Sequence, residues 1–138
     1  MRTPSYLTLL ILVSGGTVQF FQKIAGANRV YAPSYMVVSA LSLAVFGVII
    51  HIFHGQRFQL SGRMAALGAL GGVLGGIYLL AMVVAFRLGG DGSVIFPISG
   101  LGVMIPVVLA FIVYREPVTA KKLIGIVVGV GAILILSG

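Results

Sequence analysis

The sequence predicts an all-α integral membrane protein of five transmembrane helices, on three observations. Hydrophobic residues make up 59% of the chain and charged residues 8%. With a mean hydropathy of +1.19, a soluble domain of this length could not hide so much apolar surface from water. The apolar residues fall in five blocks, approximately 5–22, 33–50, 64–86, 94–114 and 118–137, each close to the roughly 20 residues that cross a hydrocarbon core as helix. Little chain remains between the blocks, so residues 1–138 read as a single transmembrane domain.

The first block opens with Arg2 and an apolar stretch and runs toward AGA at 25–27, which imitates a cleavable signal peptide. Gln19, Gln22 and Lys23 interrupt the approach to the supposed cleavage site, and further spans follow, so the segment is predicted to stay as the first span. Its second half presents Gly15, Gln19 and Gln22 at 4 and 3 spacing, which places them on one helix face. A glutamine turned to lipid leaves polar groups unpaired, so this face is expected to look toward other helices or a cavity. For Gln19 two roles stand side by side: a hydrogen bond that glues helices together, and a substrate-facing contact.

The second block carries Tyr35, Ser39 and Ser42 on one face and ends at His51, with His54 one turn on. Both histidines lie at the span margin with no third imidazole, carboxylate or thiolate near in sequence, so an interfacial pair is expected rather than a metal site. In the third block Gly68, Gly72 and Gly76 form two consecutive G-x-x-x-G steps, a flat face that lets helices pack closely or slide. Tyr78 follows from the middle of the same span, either as packing or as a ring and hydroxyl for a substrate. The turn LGGDGS then separates Arg87 from Asp91, which could pair only if the helix continued that far.

The fourth block contains Pro97 and Pro106, with Ser99, Gly102, Pro106 and Ala110 in a stripe of small residues. A proline inside a helix leaves one carbonyl without its usual partner, so this span is expected to bend beside a cavity. The last block is almost wholly apolar, with Gly125, Gly129 and Gly131 available for packing, and reads as a scaffold helix.

Charge sets an orientation. Arg2, Arg57, Arg63, Arg115, Lys121 and Lys122 fall on one side of a five-span chain and Lys23, Arg29 and Arg87 on the other. The positive-inside rule therefore predicts a cytoplasmic N-terminus and an extracytoplasmic C-terminus in a plasma membrane or bacterial inner membrane. The net charge of +7 is scattered over span ends, where phospholipid headgroups account for it, so nucleic acid is not an expected partner. The chain has no cysteine, two histidines and two acids, Asp91 and Glu116, both at span ends. No cofactor, metal or catalytic residue is therefore expected, and paired-carboxylate hydrolysis and an interior proton-carrying acid are both disfavoured. Glu116 lies in YREPVT, where Pro117 fits the first turn of a following helix, so it reads as a helix-boundary residue.

Residues 71–135, and most specifically REPVTAKKLIGIVVGVG, resemble the EamA-type domain of the drug/metabolite transporter superfamily, with Glu116, Thr119, Gly125 and Gly131 at the positions of the family signature. The resemblance implies one EamA-like repeat and a secondary transporter of small organic metabolites or drugs. Relatives usually join two such domains as an inverted repeat, so a lone domain implies a homodimer, or a heterodimer with a related half-length membrane protein, working by alternating access. Gln19, Tyr78, Ser99 and Pro106 are then the expected substrate pathway, and Gly68, Gly72, Gly76, Gly125 and Gly129 the packing positions. The chain departs from the small multidrug-resistance relatives, which carry a membrane-embedded glutamate in span one where this sequence has Thr17, Gln19 and Gln22. The alternatives are a non-transporting subunit that stabilises or regulates a partner, and a part in lipid-linked sugar translocation.

Overall fold

The structure, a computed structural model, describes residues 5–55, 57–58, 60–102, 104–114 and 119–137. All the regular structure among them is helical: α1 Ser5–Ala27, α2 Ala32–His54, α3 Gly62–Arg87, α4 Gly92–Leu101, α5 Met104–Tyr114 and α6 Ala120–Ser137. Four stretches of the described chain are long and apolar enough to cross a membrane, namely Ser5–Ala27, Ala32–His54, Gly62–Arg87 and Gly92–Ala110, and α6 carries a shorter apolar stretch, Leu123–Ile135. The chain divides into two compact units, Met1–Gly89 with the first three helices and Gly90–Gly138 with the last three.

In the first unit, hydroxyls placed in apolar helix find partners on their own backbone. Ser14 and Thr17 of α1 donate to the carbonyls of Leu10 and Val13, each at 2.7 Å, and Ser42 of α2 donates to Val38 at 2.9 Å. Each donor is thereby satisfied without water, which helices in hydrocarbon require. Helix α1 runs five residues past its apolar block, because Lys23 to Ala27 contains no proline and its one glycine, Gly26, weakens the helix by only about 1 kcal/mol. It stops in a Schellman turn: Val30 N–H reaches the Ala25 carbonyl at 3.0 Å and Arg29 N–H the Gly26 carbonyl at 2.9 Å. Arg29 takes the left-handed conformation at the C′ position, with φ of 55°. The following turn is short, and Pro33 stands in the first turn of α2 where its missing N–H costs nothing.

Helix α2 ends on Gly55, whose φ of 61° lets its N–H return to the carbonyls of His51 and Ile52. The ring of His51 meets Phe58 edge-on at 5.7 Å, and Nδ1 of His54 lies 2.9 Å from the Ile50 carbonyl. Ser61 caps α3 by accepting the N–H of Met64 at 3.2 Å. Replacing Ser61 by alanine is expected to lower stability by about 1 kcal/mol, read as a fall in unfolding midpoint in detergent. Helix α3 ends at Arg87, and Asp91 stands at the N-cap of α4, so the helical i, i+4 pairing of these two charges is not formed.

The small core of this unit joins Ala25, Ala32 and Val83, with Tyr35, Leu79 and Val84 packed around it. Outward, the helices present aliphatic and aromatic side chains, such as Leu43 and Phe53, 73% and 83% exposed, a surface suited to lipid rather than water.

In the second unit α4 packs against α6, with Ile133 Cδ1 of α6 3.5 Å from where a Cβ on Gly100 would stand. Among the described residues the fourth apolar block comprises α4 and α5, with a turn at Gly102 after α4. Pro106 has no N–H for the carbonyl four residues back, that of Gly102, which accepts Ile105 N–H at 3.1 Å instead. Gly102 N–H in turn bonds Ser99 at 3.1 Å, so two three-residue steps interrupt the α-helical ladder at Gly102. The irregularity expected from the prolines thus appears one turn before Pro106, at its orphaned acceptor.

Candidate functional site

Between α2 and α3 lies an open hollow of about 650 Å³, within the range of small-molecule pockets. Its walls follow directly from sequence spacing. Helix α2 supplies Met36, Ser39, Ala40 and Leu43, positions i, i+3, i+4 and i+7 of one stripe, with Val37 beside them. Helix α3 supplies Gly68, Gly71, Gly72, Gly75, Gly76 and Leu79, which continue the same period over three turns. Five glycines on one face leave the hollow its width: a Cβ built on Gly68, Gly71, Gly72 or Gly75 meets no described atom within 4 Å, and one on Gly76 meets only the tip of Met36, at 3.3 Å. Ser39 is the polar side chain among the walls, so the hollow suits a mainly apolar molecule with a single hydrogen-bonding group.

Close helix packing in this unit occurs elsewhere. A Cβ on Gly26 of α1 would stand 2.5 Å from Phe86 Cβ and 2.6 Å from the Val83 carbonyl oxygen, so the two helices meet backbone to backbone at their C-terminal ends. Gln22 lies one turn before Gly26 on the same stripe and is 2% exposed. Its Oε1 has no hydrogen-bond partner among the described atoms, an arrangement that costs about 1–3 kcal/mol and asks for an explanation.

The sequence-predicted pathway residues fall in both units. Gln19 is half-buried on α1, and Tyr78 is 41% exposed on α3; neither is among the walls of the hollow, although Tyr78 adjoins Leu79, which is. Ser99 and Pro106 belong to the second unit, where the Ser99 hydroxyl donates to the Phe96 carbonyl at 2.8 Å and Pro106 is exposed in the first turn of α5. Of the signature residues, Glu116 lies outside the described residues. Thr119 immediately precedes α6, and its carbonyl accepts Leu123 N–H at 3.1 Å as an N-cap residue's does. A Cβ on Gly125, Gly129 or Gly131 meets no described atom within 4 Å.

Two structural features were not anticipated from the sequence. Gln22 rather than Gln19 is the fully buried amide, and the signal for it was present: Gln22 precedes Gly26 by one turn, and small residues at 25–27 mark a face that another helix can approach. The width of the hollow was also readable, since Gly71 and Gly75 extend the G-x-x-x-G steps into a five-glycine face. No group of three or more histidine, cysteine, aspartate or glutamate side chains that could hold a metal ion occurs among the described residues.

Comparison with protein-family models, with curated proteins and with solved structures finds no match to this chain. On its helices and its apolar surface, the protein is an all-α, multi-pass membrane protein.

Proposed function

We propose that the protein is a secondary transporter of small organic metabolites or drugs, non-enzymatic, that works with a second membrane chain by alternating access, as its resemblance to the EamA-type domain implies. The observation that carries this reading is the glycine-floored hollow between α2 and α3. A transporter needs a cavity of ligand size inside the apolar layer and a wall able to close without dragging side chains past one another, and a bare glycine face meets both needs. The ladder break at Gly102 adds backbone that can flex within an apolar segment. The charge bias supports a cytoplasmic N-terminus for the working orientation.

The test uses the open space itself. Gly72→Leu places a side chain in the hollow where a Cβ meets no described atom, and it exchanges the poorest helix former but proline for one of the best. The variant is expected to fold with unchanged or slightly raised thermal stability while flux of a confirmed binder into proteoliposomes falls at least tenfold. Undiminished flux through a folded Gly72→Leu protein would remove the hollow from the pathway.

A second reading, a non-transporting subunit, is favoured by the open glycine positions Gly125 and Gly129 on α6, which form a G-x-x-x-G step fit to receive a helix of a partner. Purification in mild detergent separates the two: a partner that copurifies and is active only in the complex, with no flux by the isolated chain, supports the subunit.

A further inference from the structure

The contact of α1 with α3 gathers positive charge at one end of the first unit. Gly26 is the pivot. Its carbonyl accepts the N–H of Arg29 at 2.9 Å, and a Cβ on it would lie 3.1 Å from the backbone nitrogen of Arg87. Two arginines on different helices are therefore rooted on either side of one glycine, both exposed, and Lys23 stands half-buried one turn earlier on the same α1 stripe. No aspartate or glutamate occurs anywhere in residues 1–89, so this unit has no acid of its own to answer Arg29 and Arg87. The next acid in the chain is Asp91, the N-cap residue of α4.

Part of the charge has a structural use, since cations near the C-terminal ends of α1 and α3 complement the helix dipoles. That use does not account for Arg29. Its φ of 55° is the one left-handed non-glycine conformation among the described residues, and it holds a position where glycine rests at ease. Keeping a side chain there costs about 1–3 kcal/mol, strain of the kind that points to a use for the side chain. The surroundings indicate what that is. Tyr31, 64% exposed, follows two residues on at the start of α2, the amphipathic ring typical of a membrane interface, and the outward faces of the helices are apolar. A guanidinium pair at such a level fits the planar, bidentate recognition of phosphate oxygens.

We propose that Arg29 and Arg87, set on either side of Gly26 with Lys23 one turn away, bind the phosphate of an anionic lipid headgroup at this end of the α1 and α3 pair. The site is independent of the hollow and of the transport reading. Arginine here selects phosphate-bearing anionic lipids over zwitterionic ones, and the conformation of Arg29 aims its side chain from the turn rather than from a helix face.

The test is retention of lipid by the full-length protein in nanodiscs and detergent, comparing phosphatidylglycerol with phosphatidylcholine, with inorganic phosphate as a separate arm. Arg29→Gly separates the two roles, because it removes the guanidinium and relieves the left-handed backbone together. It is expected to lower the preference for phosphatidylglycerol about fivefold, the worth of one arginine near an anionic surface, with a thermal midpoint in lipid-free detergent equal to or above that of the parent. Arg87→Gln is expected to lower the preference similarly, and Arg29→Lys to keep part of it. Arg63→Gln, which removes one charge near the N-terminus of α3, is expected to leave it unchanged. An unaltered preference in Arg29→Gly, or an equal loss in Arg63→Gln, overturns the proposal in favour of diffuse charge. Inorganic phosphate that binds as tightly as the lipid, and displaces it, overturns the assignment to a lipid headgroup.

Discussion

Replacing Gly26 by alanine is expected to destabilise the protein by about 3 kcal/mol, the upper part of the usual range for overpacking. A methyl group there would stand 2.5 Å from Phe86 Cβ and 2.6 Å from the Val83 carbonyl oxygen. Neither neighbour is the loose end of a flexible side chain, so relief requires α1 and α3 to separate. Separation in turn loosens the core, because Ala25 and Val83, 6% and 0% exposed, flank the same contact. Thermal or denaturant unfolding in detergent measures the loss. The control is Gly72→Ala, where a Cβ meets no described atom within 4 Å and the change in helix propensity is worth about 0.5–1 kcal/mol of stabilisation. Two glycine-to-alanine changes in one unit are thus expected to act in opposite directions. Equal effects would mean that the packing assigned to Gly26 is wrong.

Replacing Gln22 by methionine is expected to stabilise the fold by about 1–3 kcal/mol, the usual penalty of a buried polar atom without a partner. Methionine is close to glutamine in length and adaptable enough to fill the same space. The readout is a raised unfolding midpoint in lipid-free detergent. A lowered midpoint would show that the amide gains more from its surroundings than its 2% exposure and unpartnered Oε1 suggest, and would identify Gln22 as bound to a water or a ligand. The glutamine was expected on a face turned away from lipid, and its burial one turn from Gly26 agrees with that expectation. The backbone contact it accompanies was not foreseen.

Much of the architecture was legible in the chain because membrane segments obey two strong constraints, apolar length and internal satisfaction of the backbone. Each of the five apolar blocks carries helix among the described residues, displaced at its ends by a few residues where local chemistry decided the stop. Asn28 and Arg29 rather than Lys23 end α1, and Gly55 ends α2 beyond His54. The turn at 88–91 was legible from LGGDGS, and Gly89, with φ of 89°, shows why glycine is needed there. In the fourth block Pro97 and Pro106 marked a bend, but the ladder breaks at Gly102, because the cost of a proline falls on the carbonyl four residues before it.

The site was less legible. The G-x-x-x-G steps of α3 are a pattern that permits close packing, and a pattern cannot say whether a helix arrives. Within the first unit none comes close at Gly68 and Gly72, which floor a hollow, and the tight approach belongs to Gly26, which has no glycine partner at four-residue spacing. By itself, then, the sequence determined that the protein is helical and multi-pass, where its helices begin and end to within about a turn, and that its interior lacks acids, since these follow from hydropathy, capping chemistry and composition alone. Only the tertiary structure decided which small residue brings two backbones together, which amide is buried, and which cations share one end of a helix pair. Those depend on the register of one helix against another, and register is set by the summed fit of many side chains rather than by any local motif.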